Sequence, residues 1–242
     1  MPRLNTKTER YRKIVAIELF EAPSSGVIST TTAGAIAYGD QVVDLTAITS
    51  MADGDNLMID GDGGLELNHI SGTPATTDCP LLYKAEFDQS SGATVTVVQK
   101  KVLGYPTREG VALTGSMSNT DIESAIEELP IGSIPGIASL GLNFALFGWN
   151  VQNFQLAFGA PEKEQGTGTA SDPHQGSVTG STVASAGTRI LRVRGLRADL
   201  KNWSLDFLDF VHEPSINTQM GKDPASWGVS GKYNGIIKRV WT

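Results

Sequence analysis

Apolar and polar residues alternate along short runs through most of this chain, and the runs are separated by glycine-rich turns, which predicts strands in place of long helices. Ile14 to Phe20, Ala33 to Tyr38 and Gln41 to Leu45 read as strands. Leu57 to Asp60 runs into Gly61-Asp62-Gly63-Gly64 and returns as Leu65 to Ile70, which predicts a hairpin. Leu81 to Phe87 and Thr94 to Leu103 form a further predicted pair, the second rich in the β-branched residues that suit a half-buried pleated surface.

The middle of the chain changes character. Thr120 and Glu123 have the capping-box spacing, and Ile122, Ala125, Ile126 and Leu129 then fall on one helical face before Pro130, which predicts a short amphipathic helix. Leu140, Leu142, Phe144 and Leu146 alternate as a strand does. Val151 to Gly159 fits a short helix closed by Gly159 or a second strand, and the helix is preferred. Lys163 to Gly187 holds almost no large apolar residue, so it reads as a long loop that orders against a neighbour. Arg189 to Leu200 and Trp203 to Phe207 return to strand alternation, and Gly228 to Trp241 reads as a closing strand pair with a turn at Lys232 to Gly235. The sum is a mainly β fold: a β-sandwich or partly open barrel with one or two short flanking α-helices. Residues 1–13 read as a basic arm and 14–242 as the β-rich body, divisible into two sub-sandwiches near 105.

Charge sharpens this picture. Between Lys13 and Lys84 stand ten carboxylates and no Lys or Arg, while the first thirteen residues carry five cations against Glu9, so most of the net charge of -7 lies in the first third of the chain. Charge sorted in this way suits subunits that meet through complementary faces, or a wall that must not hold DNA. Arg189, Arg192, Arg194, Arg197 and Lys201 form a basic stripe. Phosphate binding by that stripe is disfavoured by the acidic pI and by the lack of interleaved aromatic rings, which leaves pairing with a neighbour's carboxylates.

Catalytic and metal-binding patterns are missing from the sequence. Cys79 is the single cysteine and His69, His174 and His212 are the only histidines, so there is no zinc spacing and no internal disulfide. Gly221-Lys222-Asp223 and Gly231-Lys232-Tyr233 lack the rest of a phosphate loop, and no Gly-x-Ser-x-Gly elbow occurs. Asp60 to Ser71 departs from a calcium loop at its sixth and twelfth positions, Leu65 and Ser71. No signal-peptide pattern and no run of about 20 apolar residues occurs. The expectation is a non-enzymatic protein without cofactor or metal, made in a reducing cytoplasm.

Gly110-Val111-Ala112-Leu113 after Arg108-Glu109, the Leu140 to Phe147 strand leading into Asn153 to Gly159, the Arg189 to Leu200 strand, and the Trp203 to Phe207 strand ending at His212-Glu213-Pro214 together resemble the major tail tube proteins of long-tailed, siphovirus-like bacteriophages. The similarity covers roughly Tyr105 to Lys232, and the first hundred residues depart from it. The resemblance implies a β-sandwich subunit of the virion tail that stacks as hexameric rings with copies of itself, meets other tail proteins, and encloses a lumen through which DNA slides without specific binding. On that reading Asp53, Asp55, Asp60, Asp62 and Glu66 are the lumen-facing candidates. Arg189, Arg192, Arg194, Arg197 and Lys201, with Arg10, Arg12 and Lys13 of the arm, are the inter-subunit candidates. Gly166, Gly168, Asp172, His174 and Gln175 are the inter-ring loop candidates. Two rivals are a capsid decoration or other head protein, and a β-sandwich carbohydrate-binding module, which would display coplanar exposed aromatic rings.

Overall fold

The computed structural model of the chain describes residues 11–23, 25–104, 106–122, 132–147, 162–165, 169, 171, 175–178, 189–197, 200–213, 218–219 and 226–241. Every regular element among them is a strand. The chain divides into two compact units: Met1–Tyr105 with Ala184–Phe210 and Gly235–Thr242, and Pro106–Val183 with Val211–Asn234.

The first unit contains β1 (Tyr11–Glu21), β2 (Ser29–Thr31), β3 (Val42–Asp44), β4 (Asn56–Gly61), β5 (Gly64–His69), β6 (Asp78–Pro80), β7 (Thr94–Gly104), β12 (Arg189–Arg197), β13 (Asn202–Leu208) and β17 (Gly235–Trp241). Eight of these form a curled half-barrel in the order β17-β13-β12-β1-β7-β4-β5, with β2 added on β7, while β3 pairs with β6 alone. The predicted hairpin is β4 and β5, with Gly61 opposite Gly64. Asp62 and Gly63 make its turn, and a Cβ at Gly63 would stand 1.8 Å from the carbonyl oxygen of Asp88, so only glycine fits.

Strand alternation divides the apolar residues of this unit between two cores. Leu57 and Ile59 of β4 and Val95 of β7 pack with Val43, Leu45, Ile70, Cys79 and Leu81. The opposite face sends Met58, Leu65, Leu67 and Val98 against Phe20, Ile190, Leu208 and Ile237 inside the half-barrel. Each such side chain, fully buried, is worth about 1.5–3 kcal/mol.

Several expected elements take a different form. Ala33 to Tyr38 and Leu81 to Phe87 make only isolated bridges, Ile36 with Gln89 and Ile70 with Leu81. The second of these segments borders β5 through side chains: the Asn68 carboxamide donates to the carbonyl of Tyr83 at 3.0 Å and accepts from its N–H at 3.1 Å, and Glu66 accepts from the N–H of Glu86 at 2.9 Å. Tyr11 to Lys13, assigned to the arm, belong to β1, with Lys13 opposite Leu196.

The second unit is built on a long ribbon of β8 (Pro106–Ile122) and β9 (Gly132–Phe147), extended by β16 (Ser226–Lys232), β14 (Val211–Glu213) and β15 (Thr218–Gln219). Its described core includes Leu142, Phe144, Leu146, Val229 and Tyr233. The expected helix start at Thr120 is overturned: Thr120, Asp121 and Ile122 pair with Ile134, Ser133 and Gly132 as strand. Ladder pairing with β9 there outweighs the local capping signal. The rest of that helix, and the Val151 to Gly159 segment, lie outside the described residues. Residues 163–187 are not wholly a loop, because β10 (Glu162–Gln165) and β11 (Gln175–Val178) pair as a hairpin. The closing strands β16 and β17 do not pair with each other, since β16 joins β9 and β17 joins β13.

Candidate functional site

The charged residues of the half-barrel's inner face are set by register. Glu18 of β1 stands opposite Arg192 of β12, which stands opposite Asp206 of β13. One row along, Arg194 stands opposite Ser204, which stands opposite Arg239 of β17. Every acid therefore has an arginine directly across or on the diagonal, where side chains still reach one another. Arg192 grips Asp206 with two bonds, Nε to Oδ1 at 2.6 Å and Nη2 to Oδ2 at 2.8 Å. Arg239 Nη1 also donates to Asp206 Oδ2, and Arg194 Nη2 lies 2.7 Å from Glu18 Oε1. At the rim Glu21 takes Arg189 at 2.8 Å and also Lys101.

The same arginines reach the far side of the curl. Arg239 Nη2 donates to the carbonyl of Leu67 on β5 at 3.0 Å and stands 3.7 Å from Glu66, while Arg192 Nη1 approaches His69 Nε2 at 2.9 Å. The Tyr83 ring lies under Arg239, with 4.7 Å from guanidinium carbon to ring centroid, and the Phe20 ring under Arg192 at 5.1 Å. Burial, reinforced by the two guanidiniums, pushes His69 down to about 4, so at neutral pH its Nε2 is an acceptor for Arg192. Burial raises Glu66, and the Glu86 N–H and Arg239 only partly oppose it. For Arg192, burial works against the charge, and the bonded Asp206 carboxylate outweighs it, so its pKa is raised. This set can hold the curled sheet shut across β5, β12, β13 and β17.

The sequence-predicted site residues are scattered by comparison. Asp53, Asp60 and Asp62 are exposed and Asp55 is half-buried. Asp53 accepts from the N–H of Gly72 at 2.7 Å, Asp55 from that of Ala52 at 2.8 Å, and Asp62 from Ser90, whose hydroxyl and N–H lower its pKa. These carboxylates finish turns as well as carrying charge. Glu66 does not belong with them: it is 1% exposed and faces the interior. Arg192 is likewise corrected, because a side chain 3% exposed and paired with its own chain's Asp206 is not available to a neighbour.

Arg189 is half-buried on Glu21, and Arg194 is partly exposed on Glu18. Arg197 and Lys201 flank the β12–β13 turn, joined by a backbone bond of 2.9 Å. Lys13 is exposed on β1, Arg12 lies in β1, and Arg10 lies outside the described residues. Of the loop candidates, Gln175 opens β11 opposite Gln165; Gly166, Gly168, Asp172 and His174 lie outside the described residues.

Asp206, Arg239 and Glu18 escaped the sequence reading, although each carried a signal. Each is a charge inside an apolar run, Leu205-Asp206-Phe207, Ile237-Lys238-Arg239-Val240 and Ile17-Glu18-Leu19, and a buried charge requires a partner. Among the described residues no group of three or more His, Cys, Asp or Glu side chains could hold a metal, and no helix is long and apolar enough to cross a membrane. Among the residues whose burial is described, Tyr38 is the one aromatic side chain that is largely exposed. No protein-family model and no curated protein matches the chain.

Proposed function

We propose that this chain is a structural virion protein, a tail tube subunit that assembles with copies of itself into stacked hexameric rings around a DNA conduit. The observation that carries this reading beyond the sequence resemblance is the β8–β9 ribbon. β16 pairs β9 only over Gly141 to Phe147, whereas β8 and β9 go on pairing from Met117 and Ala138 to Ile122 and Gly132. Among the described residues no third strand flanks that outer part. A two-stranded ribbon is marginal in water by itself, and an unpaired backbone edge is a template for another chain. A subunit that offers such an edge to a different surface of the next copy forms head-to-tail contacts, which give rings when the rotation between copies closes.

In this reading Asp53, Asp55, Asp60 and Asp62 give the conduit wall a charge that repels phosphates and lets DNA slide. Residues 163–187 and the basic arm serve as connectors between subunits. A capsid decoration role would use the same β-rich fold but gives the ribbon no task, and among the residues whose burial is described Tyr38 alone offers a carbohydrate-binding module no platform of rings.

Trimming the ribbon tests the proposal. A variant with 117–138 replaced by a two-residue Asn-Gly turn is expected to keep its strand content and cooperative unfolding yet sediment only as a monomer, while the parent chain forms rings or tubes. Tubes from the trimmed variant at the parent's yield would overturn the ribbon's role.

A further inference from the structure

The inner face of the half-barrel carries a row of polar atoms that the protein itself leaves unmet. Arg194, Ser204 and Arg239 stand abreast on β12, β13 and β17, and Arg194 Nε, Ser204 Oγ and Arg239 Nε are all buried without a hydrogen-bond partner. Glu18 Oε1 shares this state, since Arg194 Nη2 lies close enough for an ion pair but is not aligned for a hydrogen bond. Ser204 is fully buried, and Glu18 and Arg239 are 2% and 6% exposed. Buried donors and acceptors without partners are rare in folded proteins, because each costs about 1–3 kcal/mol. Four such atoms lie in neighbouring rows of one face.

We infer that this row is an internal hydration site, in which ordered water accepts from the two arginine Nε–H groups and bonds to the Ser204 hydroxyl and the Glu18 carboxylate. Charge selects the ligand. Three guanidiniums, Arg192, Arg194 and Arg239, meet three carboxylates, Glu18, Asp206 and Glu66, so the surroundings have no surplus cation to hold an anion and no surplus carboxylate to hold a metal. Water both donates and accepts, and a buried water molecule with two to four polar partners is a stable feature of protein interiors. Access is through Arg194, whose side chain is 42% exposed. The interior is thus divided: Phe20, Ile190 and Leu208 make a dry end, Arg194, Ser204 and Arg239 a wet one, and the Arg192–Asp206 pair stands between them.

A crystal structure of the whole chain, at a resolution that shows ordered solvent, tests this directly, with one crystal soaked in sodium bromide. The expected result is a solvent peak within hydrogen-bond distance of Ser204 Oγ and of at least one of the two Nε atoms, with no anomalous signal from bromide there. A bromide peak between Arg194 and Arg239 would overturn the neutral ligand, and protein groups satisfying all four atoms would overturn the site. In Ser204→Val the peak is expected to vanish. Should that variant not fold, Ser204→Ala serves, with the peak expected to lose its contact at position 204; a peak unchanged in position in either variant would contradict the assignment.

Discussion

Arg192 and Asp206 face each other across β12 and β13 and are joined by two hydrogen bonds, with the Asp206 carboxylate wholly buried. Pairing of this kind costs desolvation of both ions, so its net value is modest, but breaking it strands a charge. Asp206→Ala leaves Arg192 and Arg239 together without their shared anion and is expected to destabilise the fold by about 3–5 kcal/mol. Arg192→Met combined with Asp206→Leu is expected to cost less than the sum of the single changes, with a coupling of about 0.5–3 kcal/mol. Denaturant unfolding of the parent, Asp206→Ala, the two single changes of the cycle and their combination measures both; additive effects in the cycle would mean that the two residues do not act as a pair.

His69 gives the fold a specific pH dependence. Its folded value of about 4 lies below the ordinary value of 6.5, so between those limits the unfolded chain binds a proton that the folded chain does not. Stability therefore falls as pH is lowered from about 6.5 to 4, by up to about 1.4 kcal/mol per pH unit from this residue. Glu66 acts in the opposite sense: its raised value means that the folded chain holds its proton more readily, which offsets part of the loss at the acid end. His69→Gln is expected to flatten the slope between pH 6.5 and 4 without removing acid unfolding. An identical slope in variant and parent would show that His69 titrates normally in the fold.

Gly195 lies beneath Trp203, where an added Cβ would come within 2.3 Å of the Lys13 carbonyl oxygen and 2.5 Å of the indole ring. Gly195→Ala is expected to cost about 1–3 kcal/mol, as overpacking against backbone does. Gly34 has open space around its Cβ position, so Gly34→Ala is expected to stay within about 0.5 kcal/mol of the parent. Thermal melts compare the two directly.

Cys79 is fully buried in the core under β3 and β6, and burial together with Asp55 pushes its thiol up to about 11. A protonated, covered thiol is a poor nucleophile. A disulfide reagent at pH 8 is expected to label it only as fast as the chain opens, with the rate rising in step with denaturant. Immediate labelling of the native protein would contradict its placement.

Much of the strand order was legible, because alternation and turn residues are local signals. Leu57 to Ile70 shows both its strands and its turn, and the alternation from Arg189 to Phe207 marks β12 and β13. What local pattern does not carry is the partner. Thr120 and Glu123 satisfy a helix cap, yet Thr120 pairs with Ile134, a contact no local window contains. The β16–β17 turn resembles a hairpin, but its two strands serve different sheets. Arg192 and Arg194 read as a surface stripe because their carboxylates, Asp206 and Glu18, are supplied by separate strands, and Glu66 joined the acidic surface residues because its partners, the Glu86 N–H and Arg239, lie 20 and 173 positions further along the chain.

Self-association is the property on which the proposed role depends. Negative-stain electron microscopy of the purified chain over a rising concentration series, paired with sedimentation velocity, tests it most directly. Rings and then stacked tubes of uniform diameter are expected as concentration rises. A monomer at every concentration and salt, with no rings or tubes in the images, would contradict it.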